Sequence, residues 1–487
     1  MRKRFETQMS LGQTPISEIT INPRSKNALE QLIAALKEIY CNREYNDKIF
    51  CIIENHMSSV DRKTGRPGMN LWIIFVLSQV RMCLGLSYDM LHNLSNNHRL
   101  LRQLLGIDDE FGREPYEFEY QNIYDNVSKL SDAMLKEVNA VIVEFGHREV
   151  FKKKETTALH LKTDSFVVES NVHFPTDYTL LWDCIRKSLA VVEYFLKKYP
   201  GIPGWRKLKS WRSVLKNLMR SLGRISGGGG KNKMEKLSAA AALYISKSRL
   251  LVEKLVLAQG NLPLGDMFDL AKSMELDMYK QLLVKHIDLV ERRIVKGEKI
   301  PHGEKMMSIF EDYTEWVAKG KFRPSVELGK KVSITTDQFH LIVHHKVMSG
   351  EQDKDVVVEI ADAVLHKYKR ISSMSFDKGH WRAENKALLE LEIPHVVLPK
   401  LGRRTTKEEE TENSKKFQTL KNKHSAIESN INELEHRGLD RCPDRGYHHY
   451  RTYIALGVCA YNLKKIGKKI LENRLETLLT QTTPKAA

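Results

Sequence analysis

Thr157-Ala-Leu-His-Leu-Lys-Thr-Asp-Ser-Phe-Val-Val-Glu-Ser-Asn-Val172 is an apolar, β-branched run with a carboxylate, Asp164, in its middle. A strand here would bury that charge, and an unpaired buried carboxylate is costly, so a cation should stand beside it. A strand that holds an acid in this way serves a metal or a proton. The same residues also suit a hairpin in which Thr163-Asp164-Ser165 is the turn, and local composition does not separate the two. Downstream segments favour the strand. Arg370-Ile-Ser-Ser-Met-Ser-Phe-Asp-Lys-Gly379 is a second strand-like run that ends on Asp377, and the helical segment Ser425-Ala-Ile-Glu-Ser-Asn-Ile-Asn-Glu-Leu434 offers Glu428. Two strand-borne aspartates and a helix-borne glutamate could converge on hard divalent cations, Mg²⁺ or Mn²⁺, which take oxygen ligands.

The chain around this trio has 487 residues, room for about two to four domains. Its 41% apolar and 29% charged fractions are ordinary, but a net charge of +17 and a pI near 9.3 are not. That surplus points to a polyanionic partner, nucleic acid first, although a ribosome-associated or anionic-membrane protein would share it. The six cysteines, at 41, 51, 83, 184, 442 and 459, form no C-x-x-C pair and read as reduced, buried thiols of a cytosolic protein. The basic start Met1-Arg-Lys-Arg-Phe-Glu leads into no apolar stretch, so no signal peptide is read. The most apolar run, Leu71 to Leu86, is broken by Gln79 and Arg81 and reads as a core helix, not a membrane span.

Upstream of the Asp164 run the pattern is helical. Leu29, Leu32, Ile33, Leu36 and Ile39 share a face, and further helices are read over Leu71–Leu84, Ser87–Leu94 with Ser87 as N-cap, His98–Leu105, and Tyr120 to Phe145. Residues 1–150 form an all-α module suited to DNA binding or to dimerisation. Downstream, Pro175 stops the strand and Thr176 or Asp177 caps the next helix. Residues 186–322 then read as a helical, basic block.

Inside the block, Trp205 to Arg224 contains no acid; Trp205, Arg206, Lys207, Lys209, Arg212, Lys216, Arg220 and Arg224 suit a phosphate backbone with aromatic stacking. A solvated cationic helix with its tryptophans in the core explains any single one of them equally well. The Gly227–Gly230 run lacks the Lys-Ser/Thr of a phosphate loop and reads as a hinge.

Strand patterns resume at Val332–Thr336 and Phe339–Met348, joined by Asp337-Gln338, followed by a helix over Asp355–Tyr368, strands at Ile371–Phe376 and His395–Leu398, a long polar helix Thr405–Lys423, and the Glu428 helix. From Asp164 onward the order is strand, strand, helical block, two strands, helix, strand ending in Asp377, helix, strand, helix. That is an α/β (α+β) protein whose ribonuclease-H-like mixed sheet is interrupted by a large helical insertion. Residues 151–185 and 323–470 would be the two parts of the core, and 471–487 a flexible tail.

The chain resembles a bacterial insertion-sequence transposase of the DDE superfamily, close to the ISNCY group. The resemblance rests on Thr64-Gly-Arg-Pro-Gly-Met69, Leu91-His-Asn-Leu94, Leu101-Arg-Gln-Leu-Leu-Gly106, Lys162-Thr-Asp-Ser165, His173-Phe-Pro-Thr-Asp177, Leu181-Trp-Asp183, Glu327-Leu-Gly-Lys-Lys-Val332, Phe376-Asp-Lys-Gly379, His424-Ser-Ala-Ile-Glu428 and Gly438-Leu-Asp-Arg441, in this order. It implies that Asp164, Asp377 and Glu428 are the catalytic acids and ligands of two Mg²⁺ or Mn²⁺ ions. It also implies cutting of element ends and joining to target DNA, double-stranded DNA as partner, a homodimer or higher oligomer on DNA, no membrane, and a cytoplasmic, nucleoid-associated place in a bacterium. Some relatives carry Tyr, Arg and Lys on the glutamate's helix where this chain has Lys421, His424 and Glu435, so Lys423, Arg437 and Arg441 are the substitutes for clamping phosphate.

Arg66, Lys378 and Trp381 complete the expected DNA contacts, although a structural role suits Trp381 as well. Glu433 and Glu435 compete with Glu428, which is preferred because Ala426, Ile427 and Ile431 around it point to a half-buried face. Asp177, Asp183 and Asp337 read as caps or turn residues. A transposase-derived DNA-binding protein without activity and a plain metal-dependent nuclease are the alternatives.

Overall fold

The computed structural model describes residues 2–5, 12–57, 68–108, 116–318 and 325–482. The chain divides into two compact units, Met1–Asn171 with Glu315–Ala487, and Val172–Thr314.

The first unit begins with seven helices: α1 (Ala28–Cys41), α2 (Arg43–Met57), α3 (Leu71–Leu84), α4 (Tyr88–Asn97), α5 (Arg99–Leu105), α6 (Tyr120–Val127) and α7 (Asp132–Phe145). The side chain just before the first helical residue starts most of them: Asn27, Asn70, Ser87, His98 and Ser131 each accept a hydrogen bond from a first-turn N–H of α1, α3, α4, α5 and α7. Every residue of α3 from Leu71 to Cys83 is buried. Among the described residues no single helix is long and apolar enough to cross a membrane, and α3 with α4, the one pair that together passes by length and composition, is bent by 117°.

Strand β1 (Leu159–Glu169) follows; after the second unit come β2 (Glu315–Ala318), β3 (Val326–Thr336) and β4 (Ile342–Val347). Then come α12 (Val357–Lys367), β5 (Ile371–Phe376), α13 (Ala383–Glu392), β6 (His395–Val397), α14 (Thr406–Asn413), α15 (Lys415–His424), α16 (Ala426–Leu434) and α17 (Tyr447–Thr482), with α8 to α11 in the second unit. The sheet is mixed and open. β3 pairs antiparallel with β1 on one side and with β2 and β4, one after the other along its length, on the other; β1 is parallel to β5, and β5 to β6. A continuous 11-residue β1 removes the hairpin alternative at Thr163-Asp164-Ser165.

α17 ties helices to sheet. Its Asn462 donates to the Ile342 carbonyl at 2.9 Å and accepts from Ile342 N–H at 2.8 Å, while Asn139 of α7 donates to the same carbonyl at 3.0 Å. Residues 1–150 therefore share one unit with the sheet instead of standing as a separate module.

Other boundaries differ as well. One strand, not two, precedes the helical block, and the four-residue edge strand β2 was not anticipated. The Thr405–Lys423 helix is two helices, because Ser414 leaves helical geometry and its hydroxyl caps α15 by accepting from Phe417 N–H. The expected tail is helical as far as Thr482, since Ile470 and Leu471 are buried and Arg474 pairs with Glu38. Cys41 and Cys51 are exposed, while the other four thiols are buried.

The second unit contains α8 (Asp177–Lys198), α9 (Leu208–Gly227), α10 (Lys233–Gln259) and α11 (Met267–Val290). They pack on Leu181, Cys184, Leu189, Phe195, Leu215, Leu222, Tyr244, Leu251, Leu276 and Leu283. The unit spans 172–314 where the sequence suggested 186–322, because the apolar face of α8 already belongs to this core. Thr176 caps α8 reciprocally: its hydroxyl accepts from Thr179 N–H at 3.3 Å and its own N–H donates to the Thr179 hydroxyl at 3.0 Å. Replacing Thr176 with Ala is expected to cost about 1 kcal/mol, read as a lower urea midpoint with unchanged slope.

Candidate active site

Alternation along β1 puts Lys162 and Asp164 on one face of the sheet and Thr163 and Ser165 on the other. The parallel register pairs Lys162 with Ser375 and Thr163 with Phe376. One step further sets Asp164 beside Asp377, the first residue after β5. Asp377 is exposed and opens a short turn, with its carbonyl accepting from His380 N–H at 3.1 Å. α16 lies over the same face, anchored by Asn430, which donates to the Thr336 hydroxyl at 3.5 Å and accepts from the Tyr461 hydroxyl at 2.9 Å.

The electrostatics report that proximity. Asp164 is pushed up to about 6, first by burial and then by the charges of Asp377, Asp353 and Glu428, against one stabilising hydrogen bond from Ser165 N–H at 2.7 Å. Among the described residues no cation pairs with it, contrary to the expectation from burial. Lys162, two residues away, is itself held below its usual range by burial and is spent on the Asp337 carbonyl at 3.1 Å. Among the described residues no three His, Cys, Asp or Glu side chains are close enough to hold one metal ion. The carboxylates thus feel one another without closing on a common point, although the donor set is of the hard-oxygen kind that Mg²⁺ and Mn²⁺ take.

Glu428 is exposed, because Ile427, Asn430, Ile431 and Leu434 form the buried face of α16 and Glu428 lies beside that face. Its rival Glu433 is occupied, bridging Lys464 and Lys465. Asp337 is buried in its turn, accepting from Phe339 and Leu341 N–H groups and pairing with His147 at 2.5 Å. Asp177 pairs with Arg293, and Asp183 with Arg186 and His173.

Of three further residues at this site, Asp353 escaped the sequence reading, whereas His380 and His424 stand in the segments read around Asp377 and Glu428. Asp353 accepts from the Ser165 hydroxyl at 2.6 Å and from Lys331 at 2.7 Å; burial pushes its carboxyl up, but these two partners outweigh it and hold it below the usual range. His380 is 1% exposed, its ring 5.5 Å from Phe376, with both nitrogens unpartnered. His424 meets the Ser375 hydroxyl through Nδ1 at 3.0 Å, leaves Nε2 buried and unpartnered, and is pushed down to about 4 by burial, so its imidazole is neutral at physiological pH.

The expected DNA contacts divide. Arg66 lies outside the described residues. Lys378, Lys423 and Arg441 are exposed in the unit that carries Asp164, and Arg441 donates to Asn171 at 3.3 Å. Arg437 is spent on the Cys83 carbonyl at 3.2 Å, and Trp381 is half-buried beneath Lys400. In the second unit Arg206, Lys207, Lys209, Arg220 and Arg224 are exposed and Lys216 is half-buried, whereas Arg212 pairs with Glu193 at 2.6 Å. Trp205 is 3% exposed and Trp211 half-buried, with Lys254 and Lys247 over their rings. Trp205 belongs to the core, so the expectation that it stacks on bases is corrected.

Comparison with protein-family models, with curated proteins and with solved structures yields no match to this chain.

Proposed function

We propose that the chain is a DDE transposase that binds the ends of a mobile DNA element, cuts them and joins the 3′-hydroxyl to target DNA. The observation that carries this reading is Asp164, set beside Asp377 by strand register and raised by Asp377, Asp353 and Glu428. Negative charge gathered around the neighbouring strands β1 and β5, with Asp164 itself paired to no cation among the described residues, is what a site for divalent ions requires. The strand order supports it further: antiparallel β4, β3 and β1 continued by parallel β5 and β6 is the order of a ribonuclease-H-like sheet. Bound there, two Mg²⁺ or Mn²⁺ ions would activate a water or 3′-hydroxyl and stabilise the leaving oxygen.

The chain's own residues have separate tasks in this reading. Asp164, Asp377 and Glu428 hold the ions. Lys331 fixes Asp353 behind Ser165, which keeps β1 in place under the reacting phosphate. Lys423, at the end of α15, and Lys378 face the DNA backbone. The exposed cations of α9 supply a second basic surface. Two element ends handled together call for a dimer or higher oligomer.

The test is a labelled duplex carrying the DNA that flanks the chain's own gene, incubated with supercoiled target and either Mg²⁺ or EDTA. Metal-dependent nicked and joined products are expected, falling to background in Asp377→Ala and Glu428→Ala. Cleavage without joining would make the protein a nuclease, and DNA bound but uncut would make it a binding protein. Activity retained in Glu428→Ala alone would remove Glu428 from the trio.

A further inference from the structure

A recess of about 340 Å³ is lined by Lys26, Gln31, Glu433, Lys464, Lys465 and Lys468. It brings four ammonium groups against one carboxylate. Glu433 bridges Lys464 and Lys465, at 2.7 Å for the second, and so fixes two of the cations in place. Lys26 and Lys468 are exposed, the latter 3.8 Å from Glu472. One lining residue, Glu433, shares a helix with Glu428 but lies about 140° around it. Glu433 and Glu428 are on the same helix, about 7.5 Å apart along its axis. Burial and then the charges of both Lys162 and Lys465 hold the His340 imidazole below the ordinary range.

We infer that this recess is a phosphate-backbone subsite which grips the DNA flanking the reacting phosphodiester. The inference rests on the proposed function for its partner and adds where the strand runs. The chemistry is that of a polyanion: the recess admits a phosphodiester group beside the two lysines held by Glu433, and the exposed Lys26 and Lys468 at its rim meet one neighbouring phosphate each. No aromatic lines the recess, so it grips backbone without reading bases.

The test measures affinity for a short duplex against salt concentration for the full chain, Lys26→Gln/Lys468→Gln, and Arg220→Gln/Arg224→Gln in α9. Both lysines are exposed, so the first variant is expected to keep the parent's melting temperature. Loss of two phosphate contacts should flatten the log–log salt slope by about 1.8, at about −0.9 per contact. An unchanged slope in a chain that still binds and cuts DNA overturns the inference and leaves the proposed function standing. Wild-type protein that fails to bind duplex at low salt overturns both. As a second readout, acetylation of Lys464 and Lys465 followed by mass spectrometry should fall when duplex is bound; equal labelling with and without bound duplex also overturns the subsite.

Discussion

Asp164→Asn is expected to abolish DNA cutting and, with divalent ions chelated, to make the protein more stable at pH 7 than its parent. The substitution keeps shape and keeps an oxygen to accept from Ser165 N–H, so only charge is lost. Burial and the charges of Asp377, Asp353 and Glu428 raise the parent carboxyl from 3.8 to about 6. The folded state therefore holds its proton over a pH range in which the unfolded chain has released it. Stability from this group is full below about pH 4 and is lost as pH rises through about 6. Two units correspond to a ceiling of about 3 kcal/mol, which partial exposure and salt screening reduce to about 1–2 kcal/mol. The variant's melting temperature should exceed the parent's by a few degrees at pH 7 and match it at pH 4. Added Mg²⁺ should narrow the gap at pH 7, because an ion that binds the folded parent stabilises it and has no such site in the variant. A variant that still cuts DNA, or one no more stable than the parent at pH 7, would sink the assignment of Asp164.

What was legible in the sequence was what neighbours in the chain decide. β5 was read with its observed bounds, because a run that opens on Ile371 and closes on Phe376 stands between Arg370 and the Asp-Lys-Gly that ends it. Ser87 and Thr176 were readable as caps because a cap acts within three residues. Burial of Trp205 was also legible: it lies three residues before Leu208, and Leu208, Leu215 and Leu222 repeat every seven residues along the buried stripe of α9. The cations interleaved with it mask that spacing. The exposure of Glu428 was misread because Ile427 is next to it in sequence but a quarter turn away on the helix.

Asp353 was not legible at all. Nothing local marks it, and its partner Ser165 is 188 residues away, met only when β3 pairs with β1. Lys464-Lys465 and Lys468-Lys469 are two lysine pairs that mark only a solvated face until Lys26 and Glu433 are brought beside Lys464, Lys465 and Lys468. The joining of residues 1–150 to the sheet was hidden for the same reason, since it depends on a helix that begins nearly 300 residues later.

Gly467→Ala is expected to be the most damaging single-methyl change in the first unit. Glycine within α17 is ordinarily a weakness, and alanine there would favour the helix by about 1 kcal/mol. At this position, however, α17 crosses α1 so closely that an added Cβ would stand 1.7 Å from the Gln31 carbonyl oxygen and 2.6 Å from its carbon. Both are backbone atoms of a helix and cannot swing aside. The two helices must instead separate, and the buried contacts of Leu32, Leu36, Leu463 and Ile466 loosen together. Overpacking of this kind costs about 1–3 kcal/mol where side chains can adjust and more where they cannot, so a net loss of at least about 2 kcal/mol is expected. Gly457→Ala on the same helix is the control. Its Cβ would meet the Leu439 side chain first, at 2.8 Å, a group that can turn where a backbone atom cannot. Chemical denaturation of both variants separates the effects, because helix propensity is the same for each. A Gly467→Ala protein as stable as Gly457→Ala would mean that α1 and α17 are not in backbone contact, and the close crossing that joins the N-terminal helices to the sheet-bearing unit would be wrong.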